Sequence, residues 1–396
     1  MPFEQCWRWF GPRDPITLRE VKQTGASSVV TALHDLPAGT VWTTDAITAR
    51  KQMIEAEGLR WSVAESLPVH EEIKRRGPRS RELAERYAMS IRNLGTCGVR
   101  TLCYNFMPVL DWSRTDLQTE FADGSITSEF QPRVLAAFDL FLLRRPGAEA
   151  SYAAEEILEA EEHFARLDQP AKEWLVRTIL LGFPGSGESY TLEQLRTAIG
   201  EYHTITPATF RENLLWFLRL IVPAAEESGV LLALHPDDPP WSLLGLPRVV
   251  STSDDVTRIL GAVDSPSNGI TLCTGSFGAS RQNNVVAMAE RFARRINFVH
   301  LRNIITAADG GFVESDHLQG DVDMYGVIRA LLIEQRRREE EGRLDFRMPM
   351  RPDHGHLVEA DRNGREYYPG YSLFGRMRGL AELRGLELGI QRSLGF

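Results

Sequence analysis

Short apolar runs rich in β-branched residues alternate along this chain with longer stretches whose apolar positions recur every three or four residues. The runs are SVVTALH (28–34), LRWSVAES (59–66), VRTLCYNF (99–106), VLLALH (230–235), ITLCTG (270–275), INFVHL (296–301) and FRMPMR (346–351). Between them lie ELAERYAMSIRNL (82–94), FRENLLWFLRLIVPAAEESG (210–229) and MYGVIRALLIEQRRREEE (324–341), each patterned as an amphipathic helix. Nearly continuous apolar strands alternating with helices predict a parallel sheet covered by helices on its faces. Seven strands are readable and an eighth is not placed. The pattern predicts a closed (β/α)8 TIM barrel in one domain over 1–396, ahead of an open doubly wound sheet.

The rhythm breaks over 113–205. LQTEFADGSITSEF carries Asp-Gly between polar-alternating runs, which predicts a hairpin, and helical segments follow around 151–182. This stretch reads as an insertion between the third and fourth readable strands, where barrels place lids or subunit contacts. The charged run EQRRREEEGR (334–343) reads as a solvated helix face with i,i+4 pairs.

Composition adds exclusions. The formal net charge is −9 with 25% charged residues, so there is no basic face for nucleic acid, and an anionic substrate must meet positive charge locally. No apolar stretch reaches membrane-spanning length, and MPFEQCWRWF lacks a signal region. The expectation is a cytoplasmic protein with no membrane partner, assembling as a dimer or tetramer. Cys6, Cys97, Cys103 and Cys273 lack disulfide-like or CxxC spacing, so reduced thiols are expected.

Chemistry gathers at the ends of the later strands. The stretch LLALHPDDPP closes an apolar run on His235; Cys273, His300 and Asp353 end or follow the next three strands. In a parallel barrel all strand C-termini open on one face, so imidazole, thiol, imidazole and carboxylate could converge as ligands for a divalent first-row metal. Each residue alone reads more simply as a packed core residue; four ligand types on successive strand ends read as a site. Ligands dispersed through the chain suit a catalytic metal better than a structural one. The same face receives Arg302, Arg351, His354, His356, Asp237, Asp238, Tyr104, Asn105, His34 and Glu65. Turn and cap contacts are the plain reading of Asp237 and Asp238. Arg302 and Arg351 could pair with structural carboxylates, or with Asn105 and His356 could bind a carboxylate substrate.

WRWFGP, VVTALHDLP, WSVAESLPVHEEIK, YNFMPVLDWSRTDL, HPDDPP, LCTGSFG, FVHLRN, HLQGDVDMY, RPDHGH and PGYSLFGRMRGLAELRG, in this order from about Trp7 to about Arg392, resemble the mannonate dehydratase family. The resemblance implies a xylose-isomerase-like barrel, a bound Mn2+ (or Fe2+ or another divalent first-row ion), and conversion of D-mannonate to 2-keto-3-deoxy-D-gluconate and water. By motif, the family's metal ligands fall on His235, Cys273, His300 and Asp353, and its proton-transfer residues on His354 and Tyr371. Phe277 stands where a tyrosine is common in the family, and 357–368 carries no strong motif, which leaves Tyr367 and Tyr368 as alternatives to Tyr371. Two other classes stay open at this stage: a metal-dependent sugar isomerase, against which the thiol speaks, and a non-catalytic carbohydrate-binding relative.

Overall fold

Twelve strands form two sheets in the computed structural model, which describes residues 2–181 and 190–395; residues 182–189 of the expected insertion lie outside the described residues. In chain order the strands are β1 (Glu4–Arg8), β2 (Ser28–Thr31), β3 (Arg60–Glu65), β4 (Thr101–Tyr104), β5 (Asp116–Glu120), β6 (Ile126–Phe130), β7 (Leu231–Leu234), β8 (Asn268–Cys273), β9 (Ile296–Leu301), β10 (Asn303–Thr306), β11 (Phe312–Ser315) and β12 (Pro349–Pro352). Eight of them close a parallel barrel in the order β1-β12-β9-β8-β7-β4-β3-β2. The sheet is therefore a closed barrel and not an open doubly wound one.

The strand missing from the sequence reading is β1. It pairs with β2 through Cys6–Ser28, Trp7–Val29 and Arg8–Val30, and with β12 through Glu4–Pro349 and Gln5–Met350. Its EQCWR sequence looks too polar for a buried strand, yet all five residues are buried. Each polar group has a partner. Arg60 and Ser62 donate to Glu4, Gln5 donates to Glu387 at 2.7 Å, and Arg8 meets Glu65 at 3.4 Å. Polar strands are invisible to hydropathy when their partners are far away in sequence. Most readable strands also run shorter than expected; 28–34, for example, contracts to Ser28–Thr31, leaving His34 beyond the strand.

Side-chain alternation fills the barrel in layers. Cys6, Val30, Val63, Cys103, Ala233 and Phe298 make its small apolar middle. The layer above carries the ionisable groups at the C-terminal ends of the strands. Helices cover the outside, and their ends carry the expected punctuation. In the helix Pro207–Ser228 the Thr206 side chain accepts from the Thr209 N–H, Pro207 opens the first turn, and Gly229 at φ 63 ends the helix and turns the chain into β7.

The hairpin expected at Asp123-Gly124 is present as β5–β6. It does not stand alone. β10 and β11, from the loop after β9, complete an antiparallel sheet in the order β10-β11-β6-β5. This second hairpin, around Asp309-Gly310, went unread although it carries the same dipeptide signal. The accessory sheet is thus built from the insertion and from a continuation of the strand that bears His300.

Candidate active site

β7, β8, β9 and β12 deliver His235, Cys273, His300 and Asp353 to one end of the barrel. His235 Nε2 lies 3.2 Å from His300 Nδ1, and one ring nitrogen of each histidine and the Cys273 sulfur all lie within 4.8 Å of one another. Asp353 joins from the next strand, its Oδ2 3.7 Å from Cys273 Sγ and 3.9 Å from His300 Nδ1. The outer nitrogens are directed too: His235 Nδ1 faces the Pro236 carbonyl at 2.7 Å, and His300 Nε2 faces Glu65 at 3.6 Å. Two imidazoles with their inner nitrogens converging, beside a thiol and a carboxylate, fit a divalent first-row ion by donor type. Glu65, Cys103 and His300 form a second such group deeper in the barrel, sharing His300.

An ionic lattice surrounds the cluster. Arg351 forks onto Glu65 at 2.9 and 3.1 Å and also reaches Asp353. Arg302 donates to Asp238 at 2.6 Å and lies 3.5 Å from Asp353 and 3.1 Å from Glu314. Arg114 bridges Asp238 at 2.8 Å and Glu314 at 2.6 Å. With the Arg8–Glu65 pair, four buried arginines face the four buried carboxylates Glu65, Asp238, Glu314 and Asp353. Burial pushes these acids up, but the arginines outweigh it. Arg351 leads in holding Glu65 and Asp353 well below the usual carboxylate range, Arg114 and Arg302 do the same for Asp238, and Arg302 with His354 and Arg114 draws Glu314 down to about 2. All four are carboxylates at neutral pH.

Local sequence explains how the lattice fits. Thr274 Oγ1 donates to the Arg302 carbonyl and accepts from the Arg302 N–H at 2.9 Å, pinning the loop after β9 against the end of β8. Gly275 is required there, because a Cβ would stand 2.2 Å from Arg302 Nε. Ser276 then donates to the Cys273 sulfur at 3.0 Å. In HPDDPP the aspartates part company. Asp237 accepts from Val250 N at 2.7 Å and Ser251 Oγ at 2.8 Å, a turn contact, while Asp238 joins the lattice.

Glu65, Asn105, Trp112, His235, Asp238, Arg302, Arg351, Asp353, His354 and Tyr371 all line one cavity over the cluster. His354 stands edge-on to Tyr371 (centroids 5.2 Å apart) and to Trp112 (5.9 Å), with Nδ1 3.3 Å from Glu314. Gly370, at φ 78, lets the chain pass the His354 ring, where a Cβ would approach to 3.1 Å. Burial, with Asp353 nearby, pushes the Tyr371 phenol above its ordinary range.

Other residues that the sequence singles out sit wholly or partly elsewhere. His356 is absent from the cavity lining; its ring nitrogens face Ser125 Oγ at 2.9 Å and the Glu314 carbonyl at 3.2 Å, tying β6 and β11 to the barrel. Tyr104 is among the residues lining the cavity, but its ring packs edge-on against Tyr87 and Phe217, on the helix side of the barrel wall. His34 sits beside Arg8 at 3.4 Å. Tyr367 and Tyr368 line a neighbouring cleft with Trp174 and Arg177 rather than this cavity. Conversely, Arg114, Glu314, Trp112 and Ser276 went unselected. Trp112 and Arg114 sit in YNFMPVLDWSRTDL, whose long run of unusual residues was the signal at hand. Glu314 had none.

Comparison with known proteins places this geometry. The family model described as D-mannonate dehydratase (UxuA) matches residues 3–395. A mannonate dehydratase of Chromohalobacter salexigens is 54% identical over 98% of this chain and 99% of its own length. The crystal structure of mannonate dehydratase from Streptococcus suis serotype 2 shares 34% identity at a TM-score of 0.77, covering 100% of this chain and 95% of that one. A xylose isomerase-like TIM barrel protein from Mycobacterium smegmatis, solved in complex with magnesium, matches at a TM-score of 0.50 and 14% identity over 98% of this chain and 97% of its own, a likeness of fold. The chain belongs to the mannonate dehydratase family of hydro-lyases, as its motifs implied.

Proposed function

We propose that this member of the family dehydrates D-mannonate to 2-keto-3-deoxy-D-gluconate, with the strand-end cluster holding a divalent ion. The observation that carries the reading is the convergence of His235, Cys273, His300 and Asp353, of which His235 and Asp353 line the cavity that also presents His354 and Tyr371. Mn2+, or Fe2+ or another divalent first-row ion, suits the donors and when bound supplies Lewis-acid stabilisation of charge building on the substrate carboxylate.

Charge supports an acidic substrate. The surrounding arginines and carboxylates balance each other, so a dication beside a Cys273 thiolate leaves one positive charge for the substrate's carboxylate to match. Arg351 therefore fixes Glu65 and Asp353 and is not a free anion receptor. Arg302 does hold a donor in reserve: its Nη2 is buried without a hydrogen-bond partner among the described residues. We assign the carboxylate contact to Arg302 and contacts to the substrate hydroxyls to Asn105, which lines the cavity. His354 takes the C2 proton. Tyr371, whose phenol stays protonated at neutral pH, donates to the departing C3 hydroxyl. The resulting enol tautomerises to the 2-keto acid.

The test is a reducing, metal-reconstituted assay over a panel of aldonates and aldoses, scored for 2-keto acid. Formation of 2-keto acid from D-mannonate supports the reading. Aldose–ketose interconversion would make the chain an isomerase, and sugar-acid binding without product would make it a binding protein.

A further inference from the structure

We propose that Glu314, carried by β11 of the accessory sheet, is the positioning residue that fixes the ring and tautomer of His354. The proposal rests on the assignment of His354 to proton transfer. Three features of the geometry point to it. Glu314 is 2% exposed, and its Oε1 lies 3.3 Å from His354 Nδ1, while His354 Nε2 lies on the other side of the ring, 3.8 Å from Asp353. His354 Nδ1 is buried and makes no hydrogen bond among the described residues, so the carboxylate 3.3 Å away is the charge it faces. A carboxylate on that side favours Nδ1 as the N–H and leaves the Nε2 lone pair to accept a proton on the cavity side, the orienting role such carboxylates play for imidazoles elsewhere. Trp112 and Tyr371 flank the ring edge-on, so rotation alone cannot compensate for a lost partner.

Glu314 is itself over-determined. Arg114 donates to Oε1 at 2.6 Å and Arg302 Nε stands 3.1 Å from Oε2. Arg114 shortly precedes the β5–β6 hairpin, and Arg302 lies between β9 and β10. The antiparallel sheet thus delivers the carboxylate, and the segments leading into it deliver both of its anchors, to one histidine. The accessory sheet thereby serves the chemistry directly, completing the proton-transfer apparatus on a histidine that the barrel supplies.

The test is a double-mutant cycle on metal-loaded enzyme with D-mannonate, combined with histidine 15N NMR on the metal-free protein. Glu314→Gln should lower kcat about 10²-fold with KM and metal content nearly unchanged, and should cause no further loss in a His354→Asn background. The His354 resonances, assigned by their disappearance in His354→Asn, should show an Nδ1–H tautomer in the parent and lose that preference in Glu314→Gln. Equal loss in both backgrounds would overturn the proposal, as would a parent Nε2–H tautomer, because either makes Glu314 a scaffold for its arginines alone. If His354→Asn itself keeps full turnover, the underlying proton-transfer assignment fails instead, and the proposal with it. Should Glu314→Gln not fold, Glu314→Asp keeps the charge between Arg114 and Arg302 while drawing the carboxylate back from His354. The same cycle then applies, with an intermediate loss expected in the parent background and none in His354→Asn.

Discussion

The barrel mouth and the accessory sheet meet over one cavity but are built in opposite ways. At the mouth, each donor sits at or just beyond the end of its own strand, and the parallel barrel brings the strand ends together. Around the accessory sheet, buried charges are paired across the chain: Arg114 and Glu314 are 200 positions apart, and Arg114 and Asp238 are 124 apart. The mouth is an arrangement of positions, the sheet an arrangement of partners. Losing a position removes one donor; losing a partner leaves a buried charge unbalanced, which usually costs more stability than the intact pair contributed.

The sharpest way to break the comparison is at the proposed ligands. Cys273→Ser and His300→Ala should each deplete bound metal, measured by elemental analysis after reconstitution, and take turnover to background while the melting temperature of the metal-free protein changes little. Full metal content and activity in Cys273→Ser would return that cysteine to the core. The next effect belongs to the pair proposed for proton transfer. His354→Asn and Tyr371→Phe should keep metal and fold but lose roughly 10²- to 10⁴-fold in kcat. Near-normal turnover in Tyr371→Phe would move the acid to another donor, such as a water, since Tyr367 and Tyr368 line a different cleft.

What could be read in advance follows the same division. His235, Cys273, His300 and Asp353 were legible because a strand end is a local signal and barrel topology converts local ends into neighbours. β1 was not, because Glu4, Gln5 and Arg8 look solvent-facing until Arg60, Glu387 and Glu65 are placed beside them. His356 was selected for its place in RPDHGH, but the chain after Asp353 turns toward β6 and β11, and the ring goes to Ser125 instead. Arg351 was read as a candidate for substrate, with a structural partner as its other reading. Its fork onto Glu65, 286 positions away, supports the structural partner. Glu314 was silent because nothing in FVES marks a glutamate whose partners lie in three other segments.

The same substitution, made once in each region, sharpens the contrast. Gly275→Ala at the mouth puts a Cβ 2.2 Å from Arg302 Nε, with no room for it unless the guanidinium moves away from Asp238 and Asp353. A displacement of that size should lower kcat about 10²-fold and destabilise by about 1–3 kcal/mol. A melting curve and steady-state kinetics on one preparation read both effects, and parent-like kinetics would show that Arg302 can shift without consequence.

Gly124→Ala, at the tip of the β5–β6 hairpin, should have the smallest effect. Gly124 has φ 80, but an added Cβ meets nothing within 4 Å. The cost is therefore purely one of backbone conformation, about 1–2 kcal/mol for a left-handed L-residue. The turn is also held by Gly124 N to the Phe121 carbonyl and by Phe121 N to the Ser125 carbonyl, both at 2.8 Å, so the hairpin should keep its register. Metal content, kcat and KM should match the parent, with only the thermal midpoint lowered. The informative failure is a fall in kcat without loss of metal. Ser125 holds His356, and His356 reaches the Glu314 carbonyl. A kinetic defect from Gly124 would mean that strain at the hairpin tip travels along this chain of contacts to His354, the histidine proposed for proton transfer, joining the two regions more tightly than their separate construction implies.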